Sequence, residues 1–112
     1  MKPRLVSSIL VTALLRRAEA EGGFGTVIAK GDATAGAIAV ILTERGRNPR
    51  YFERHLQPDG DYAWQETQQP LDSPASLAAL IERRRRVDPD LWIVELDIAS
   101  TERFAAEMNM VG

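Results

Sequence analysis

Apolar residues change their spacing several times along the chain, and each change marks an element. From Ser8 to Glu21, Ile9, Leu10, Ala13, Leu14 and Ala18 recur at helical intervals, with Ser7 or Ser8 as N-cap and Gly22-Gly23 as the stop. Phe24 to Lys30 and Ala37 to Thr43 read as strands, with Gly31 to Gly36 as a hairpin loop between them. The second run is apolar almost throughout, so both of its faces should be covered and it should lie centrally in a sheet.

Arg50 to Gln57 and Asp61 to Thr67 flank Pro58-Asp59-Gly60, and Asp-Gly between alternating segments is a strong hairpin signal. With Asp59-Gly60 as a two-residue loop, Pro58 pairs with Asp61, His55 faces Trp64 and Glu53 faces Glu66. Ser73 caps a second helix with Pro74 at its first position; Leu77, Leu80, Ile81, Arg84 and Val87 share its inner face. Asp88-Pro89 ends it, because the residue before proline avoids helical backbone. Asp90 to Asp97 is a last strand, with Trp92, Val94, Leu96 and Ile98 on one face, and Thr101 to Met108 a short tail helix. The order α-β-β-β-β-α-β predicts a single α+β (or α/β) domain. In it, helices pack on a mixed sheet of about five strands, and the last strand joins by a crossover. The pattern leaves strand order open.

Composition narrows the chemistry. The chain has 112 residues, 45% hydrophobic and 27% charged, the balance of a packed domain. A formal net charge of −2 provides no global positive field for nucleic acid or anionic lipid. With no cysteine and one histidine, His55, a thiol nucleophile, an iron–sulfur cluster and a tetrahedral zinc site are excluded, and no metal or other cofactor is expected. The start, MKPRLVSSILVTALL, imitates an export signal. However, Arg16 and Arg17 stand between its apolar stretch and the cleavage-like Ala18-Glu19-Ala20, and the stretch is too short to span a bilayer. The reading is a mature helix in a cytoplasmic protein with no membrane role.

Three landmarks coincide at this point: ALLRRAEAEGGF at Ala13 to Phe24, KGDATAGAIAVIL at Lys30 to Leu42, and DPDLWIVELD at Asp88 to Asp97. In that order and spacing they resemble the bacterial "domain of unknown function 1491" family, over nearly the whole chain up to the last strand. The resemblance implies a small cytoplasmic α/β protein with a mature N-terminus. It carries over no activity, cofactor or catalytic residue.

Gly31 to Gly36 has the glycine spacing of a phosphate-binding loop, but Ala37 and Ile38 stand where lysine and a hydroxyl residue are required, and a strand follows where a helix should. Asp90 and Glu95 point to opposite faces of one strand and cannot share a metal there. The hairpin is more suggestive. In the register above, Tyr51, His55, Tyr62 and Trp64 form an aromatic face suited to a partner, with Glu53 and Glu66 as a like-charged pair needing compensation. If helix one covers that face, Trp64 is core instead.

Among the arginines, Arg83 to Arg86 are rotated about 100° from one to the next and match the helix dipole better than they make one basic face. Arg16, Arg17, Arg83 and Arg86 form the candidate anion-binding set. Arg84 lies on the apolar stripe and should pair with a buried carboxylate such as Glu95 or lay its stem across the core edge.

The leading expectation is a non-catalytic interaction module that self-associates as a homodimer, or binds a protein partner, through Tyr51, His55, Tyr62 and Trp64 or a free sheet edge. Two alternatives remain. One is a nucleic-acid or anion adaptor using the arginines, disfavoured by the acidic balance. The other is a small hydrolase or metal-dependent enzyme centred on His55 with Glu53, Glu66 or Glu95. No residue is assigned a catalytic or metal-binding role.

Overall fold

The computed structural model describes residues 6–110; the basic start of the chain that entered the export-signal argument lies outside them. The elements are α1 (Ser7–Ala20), β1 (Phe24–Ala29), β2 (Ile38–Glu44), β3 (Arg47–Leu56), β4 (Tyr62–Glu66), α2 (Pro74–Val87), β5 (Trp92–Asp97) and α3 (Thr101–Met110). The element order and the mixed five-stranded sheet agree with the pattern, and the sheet order is β1-β5-β2-β3-β4. The sole parallel pair in it is β2 with β5; every other pair is antiparallel.

That order overturns one expectation. β5 lies between β1 and β2, so residues 31–36 form a crossing loop and not a hairpin. Gly31 and Gly36 are needed for close approach: a Cβ would sit 2.1 Å (Gly31) or 2.4 Å (Gly36) from the Asp90 carbonyl oxygen. The loop is fastened there by Asp32 N donating to Asp90 O at 3.0 Å and the Trp92 indole donating to Asp32 O at 2.7 Å. Its own Asp32 carboxylate accepts from the amides of Thr34 and Ala35, so the position a phosphate would occupy is filled from within.

Two cores flank the sheet. On one face Val11, Leu14 and Ala18 of α1 and Phe104, Ala105 and Met108 of α3 pack on Val40, Leu42, Phe52, Trp64, Trp92, Val94 and Leu96, with Ile98 just beyond β5. On the other, Leu80 of α2 meets Ala39, Ile41, Tyr51, Leu91 and Ile93. β2 contributes to both, hence its unbroken apolar run. The α1 stripe differs from the expected one: Val11 faces in, while Ile9 and Ala13 face solvent. The N-cap expectation also fails, because Val6 takes that position. The Ser7 hydroxyl instead donates to Gly36 O at 2.6 Å, and the amides of Ser7 and Ser8 donate to the carbonyls of Thr34 and Ala33, so the crossing loop closes the helix start. At the other end Gly23 N donates to Ala18 O and Gly22, at φ 87, to Glu19 O, a Schellman stop. α2 begins as expected, with reciprocal Ser73–Ser76 capping and Pro74 at its first position, a cap that contributes about 1 kcal/mol. Val87, however, is 70% exposed and lies off the inner face.

The two hairpins set what each face displays. β2 turns into β3 through Arg45 and Gly46, both at positive φ (55° and 73°), as in a type I′ turn. The strand therefore starts earlier than Arg50, with Pro49 accommodated beside a bulge. Between β3 and β4 the loop has three residues: Gly60 N donates to Gln57 O at 3.0 Å and Gln57 N to Asp61 O at 2.7 Å. Pro58 explains this, since its fixed φ suits the second position of a type I turn, leaving Gly60 alone left-handed.

Candidate functional site

The longer loop shifts the β3–β4 register by one residue, which moves the β4 side chains to opposite faces relative to those of β3. Observed partners are Phe52 with Glu66, Glu53 with Gln65, Arg54 with Trp64, His55 with Ala63 and Leu56 with Tyr62. The expected aromatic face is thus divided: Tyr51 and His55 stand on the α2 side, Tyr62 and Trp64 on the side of α1 and α3. Trp64 is 7% exposed and belongs to the core. Glu53 and Glu66 are likewise separated, and each receives its own arginine.

On the α2 side, Tyr51, Glu53, His55, Gln65, Thr67, Leu80 and Arg84 line a cleft of about 380 Å³. The Glu53 carboxylate is its buried centre. Arg84 Nε donates to Oε2 at 2.6 Å, Arg84 Nη2 to Oε1 at 2.9 Å, and the Tyr51 hydroxyl to Oε2 at 2.8 Å. Burial alone would raise the Glu53 pKa, but the arginine fork and the tyrosine hydroxyl outweigh it and hold the carboxyl below its ordinary value. Burial, with the bond to Glu53 second, pushes the Tyr51 phenol up. The bond to Glu53 raises Arg84 further. Glu53 is therefore a fixed anion with its acceptors committed, suited to holding β3 against α2 and poorly suited to passing protons. His55 lies at the rim, 4.0 Å from Glu53 Oε1.

Arg84 does pair with a buried carboxylate, but the partner is Glu53 and not Glu95, because β3 passes beneath that turn of α2. Glu66 is held on the opposite face by Arg50 through two bonds of 2.8 Å, and Arg50 also stacks on Phe52. Among the described residues no three histidine, aspartate or glutamate side chains come together as a metal-binding group.

The four candidate anion-binding arginines are not brought together. Arg16 and Arg17 lie on α1, Arg83 and Arg86 on α2, across the sheet. Arg17 pairs with Glu107 and Glu21 and covers the Phe104 ring at 4.4 Å. Arg83 donates to Gln69 and Arg86 to Glu82.

The two sheet edges differ. On β4, Trp64 N donates to the Asn109 side chain at 3.0 Å, so α3 covers that edge at its middle residue. β1 forms the other edge and carries no charged residue. Phe24 is 59% exposed, Ile28 46%, and Val27 is exposed as well. Sequence reasoning identified β1 as a strand but had no means of placing it at an edge.

The same architecture has been solved elsewhere. The profile of the family described as "Protein of unknown function (DUF1491)" matches residues 5–106. This chain belongs to the DUF1491 family. A crystal structure of a DUF1491 family protein from Caulobacter crescentus CB15 is 41% identical, covers 82% of this chain and 86% of its own, and superposes with a TM-score of 0.74. An NMR structure of a DUF1491 family protein from the same organism gives 40% identity, 88% and 90% coverage and a TM-score of 0.73. The solution structure of protein Atu0922 from A. tumefaciens gives 33%, 88% and 89%, and 0.74. None of the curated proteins matches the chain. The DUF1491 fold thus comes with no stated activity, and among the described residues no helix is long and apolar enough to cross a membrane.

Proposed function

We propose that the chain is a non-catalytic interaction module that pairs with a second copy of itself along β1. The observation that carries this reading is the contrast between the sheet edges: β4 is capped at Trp64 by Asn109 of α3, while β1 presents an apolar strand bearing Phe24, Val27 and Ile28. An open edge offers a row of backbone donors and acceptors for another strand. An antiparallel pair about a two-fold axis brings the start of each β1 against the end of the other. Lys30, exposed and in no ion pair among the described residues, then approaches the α1 C-terminus of the second copy, where Glu19 and Glu21 stand at the negative end of the helix dipole. Parallel pairing would instead bring the lysines together. Because each chain has one open edge, association stops at a closed dimer.

Sedimentation equilibrium tests the proposal. The wild type is expected at twice the chain mass, and Phe24→Lys/Ile28→Lys at the mass of one chain with unchanged circular dichroism. A wild type of single-chain mass up to millimolar concentration overturns it, as does a double variant that still dimerises.

A further inference from the structure

A second depression, of about 580 Å³, lies between the β2–β3 turn and the connection from β5 to α3, lined by Glu44, Arg45, Arg47, Asn48, Ile98 and Ala99. It sits at the carboxyl ends of β2 and β5, the parallel pair. Crevices outside the carboxyl ends of parallel strands are where open α/β sheets take their ligands, because side chains and turns there can vary without disturbing the sheet.

Its charges are arranged unevenly. Glu44 Oε2 accepts from Thr101 N at 2.8 Å, and the neighbouring Asp97 Oδ1 accepts from Arg45 N at 2.9 Å, so both nearby carboxylates are tied to backbone amides. Arg45 and Arg47 are exposed and take part in no ion pair among the described residues, unlike Arg17, Arg50, Arg84, Arg86 and Arg103. Arg45 and Asn48 also hold left-handed backbone, φ 55° and 53°, and an arginine is an uncommon choice for such a position.

We infer that this depression binds a small organic phosphate, its anionic head gripped by Arg45 and Arg47 and its body resting on Ala99, which is exposed beside the buried Ile98. Guanidinium forks match phosphate oxygens in pairs. The volume is that of a small-molecule site and exceeds what a bare ion would fill. Ala99, exposed among the lining residues, and the stems of the two arginines supply contact for the non-ionic part.

Phenyl phosphate and inorganic phosphate, titrated into isotope-labelled full chain at low salt and followed by amide chemical shifts, provide the test. Saturable shifts centred on Arg45, Gly46, Arg47, Asn48 and Ala99 are expected, with phenyl phosphate the tighter probe. Arg45→Gly/Arg47→Ala should weaken binding at least tenfold. The glycine suits the left-handed backbone, so the turn is retained and loss of binding reports loss of the guanidinium groups. Arg83→Ala/Arg86→Ala should bind as the wild type does. Shifts that do not saturate, shifts centred on α2, equal affinity for the two probes, or unchanged binding by Arg45→Gly/Arg47→Ala would overturn the inference.

Discussion

Arg84 reaches from the last turns of α2 to Glu53 on β3 and closes a bidentate pair with it, 2.6 and 2.9 Å, while Tyr51 donates to the same carboxylate. The Glu53 side chain is 11% exposed and that of Arg84 30%. Deleting one member of a buried pair leaves the other charged and unsolvated, which costs more than the pair itself contributes. Arg84→Met should therefore destabilise the fold by about 3 kcal/mol, the low end of that range because Arg84 is partly solvated. Glu53→Gln/Arg84→Met should cost less than the sum of the two single changes. Urea denaturation of the four proteins in the cycle measures the coupling; strict additivity would show that the pair does not act as a unit.

This cluster, together with the Arg50–Glu66 pair on the other face, predicts a pH dependence at both ends. Glu53 and Glu66 have folded pKa values below the unfolded value of 4.5, so their contribution is complete above it and is lost as pH falls through the folded values. The Tyr51 phenol is raised by burial and by Glu53, so its contribution is complete below its unfolded value of 10.0 and is lost as pH rises beyond it. Chemical denaturation as a function of pH should give a plateau between these limits. Tyr51→Phe should flatten the alkaline decline and, because the lost hydroxyl helps to hold the Glu53 carboxyl down, shrink the acid one without abolishing it, since Arg84 and the Arg50–Glu66 pair remain.

Gly31 and Gly46 separate two reasons for glycine. At Gly31 a Cβ would meet Asp90 O at 2.1 Å and Trp92 N at 2.7 Å, backbone atoms that cannot rotate away. At Gly46 there is open space, and only the left-handed φ of 73° resists a side chain. Gly31→Ala should cost about 3 kcal/mol as an overpacking change, Gly46→Ala about 1 kcal/mol. Thermal and urea midpoints of the two variants check the order, and a Gly46 variant as damaged as the Gly31 one would contradict it.

These residues also show what could be read in advance. β2 and the Trp92, Val94, Leu96, Ile98 face of β5 were legible because an unbroken or alternating apolar run reports burial directly. Arg84 was legible as a cation on an apolar stripe. Its partner was not, since choosing Glu53 over Glu95 requires knowing that β3, not β5, lies beneath that turn, and pairing between distant strands leaves no local mark. The hairpin register depended on one residue. Asp59-Gly60 suggested a two-residue loop, while Pro58, by favouring a type I turn, carried the opposing signal. That single step parted Trp64 from Tyr51 and His55, and of the two places open to it, an exposed face or the core, it takes the core. The edge position of β1 and the pairing of arginines across the fold were likewise set by strand order.

Trp64 and Asn109 give the last prediction. Trp64 is packed with Phe52 and Phe104 in the core beneath α3, and its amide is covered by the Asn109 side chain. Trp64→Ala should act as a large core truncation, costing about 3–5 kcal/mol, and any change in association would follow from unfolding. Asn109→Ala is a different perturbation. It removes one hydrogen bond, about 1 kcal/mol, and leaves the outward amide of Trp64 without its acceptor. A chain with β1 and β4 both open has two edges that can pair, so assembly need no longer close at a dimer. Sedimentation velocity of Asn109→Ala should show species larger than the dimer, with a melting temperature lowered by only about 4 °C. Adding Phe24→Lys/Ile28→Lys should restrict it to pairs formed through β4. A variant with the wild-type mass distribution would mean that α3 protects the edge without the Asn109 side chain.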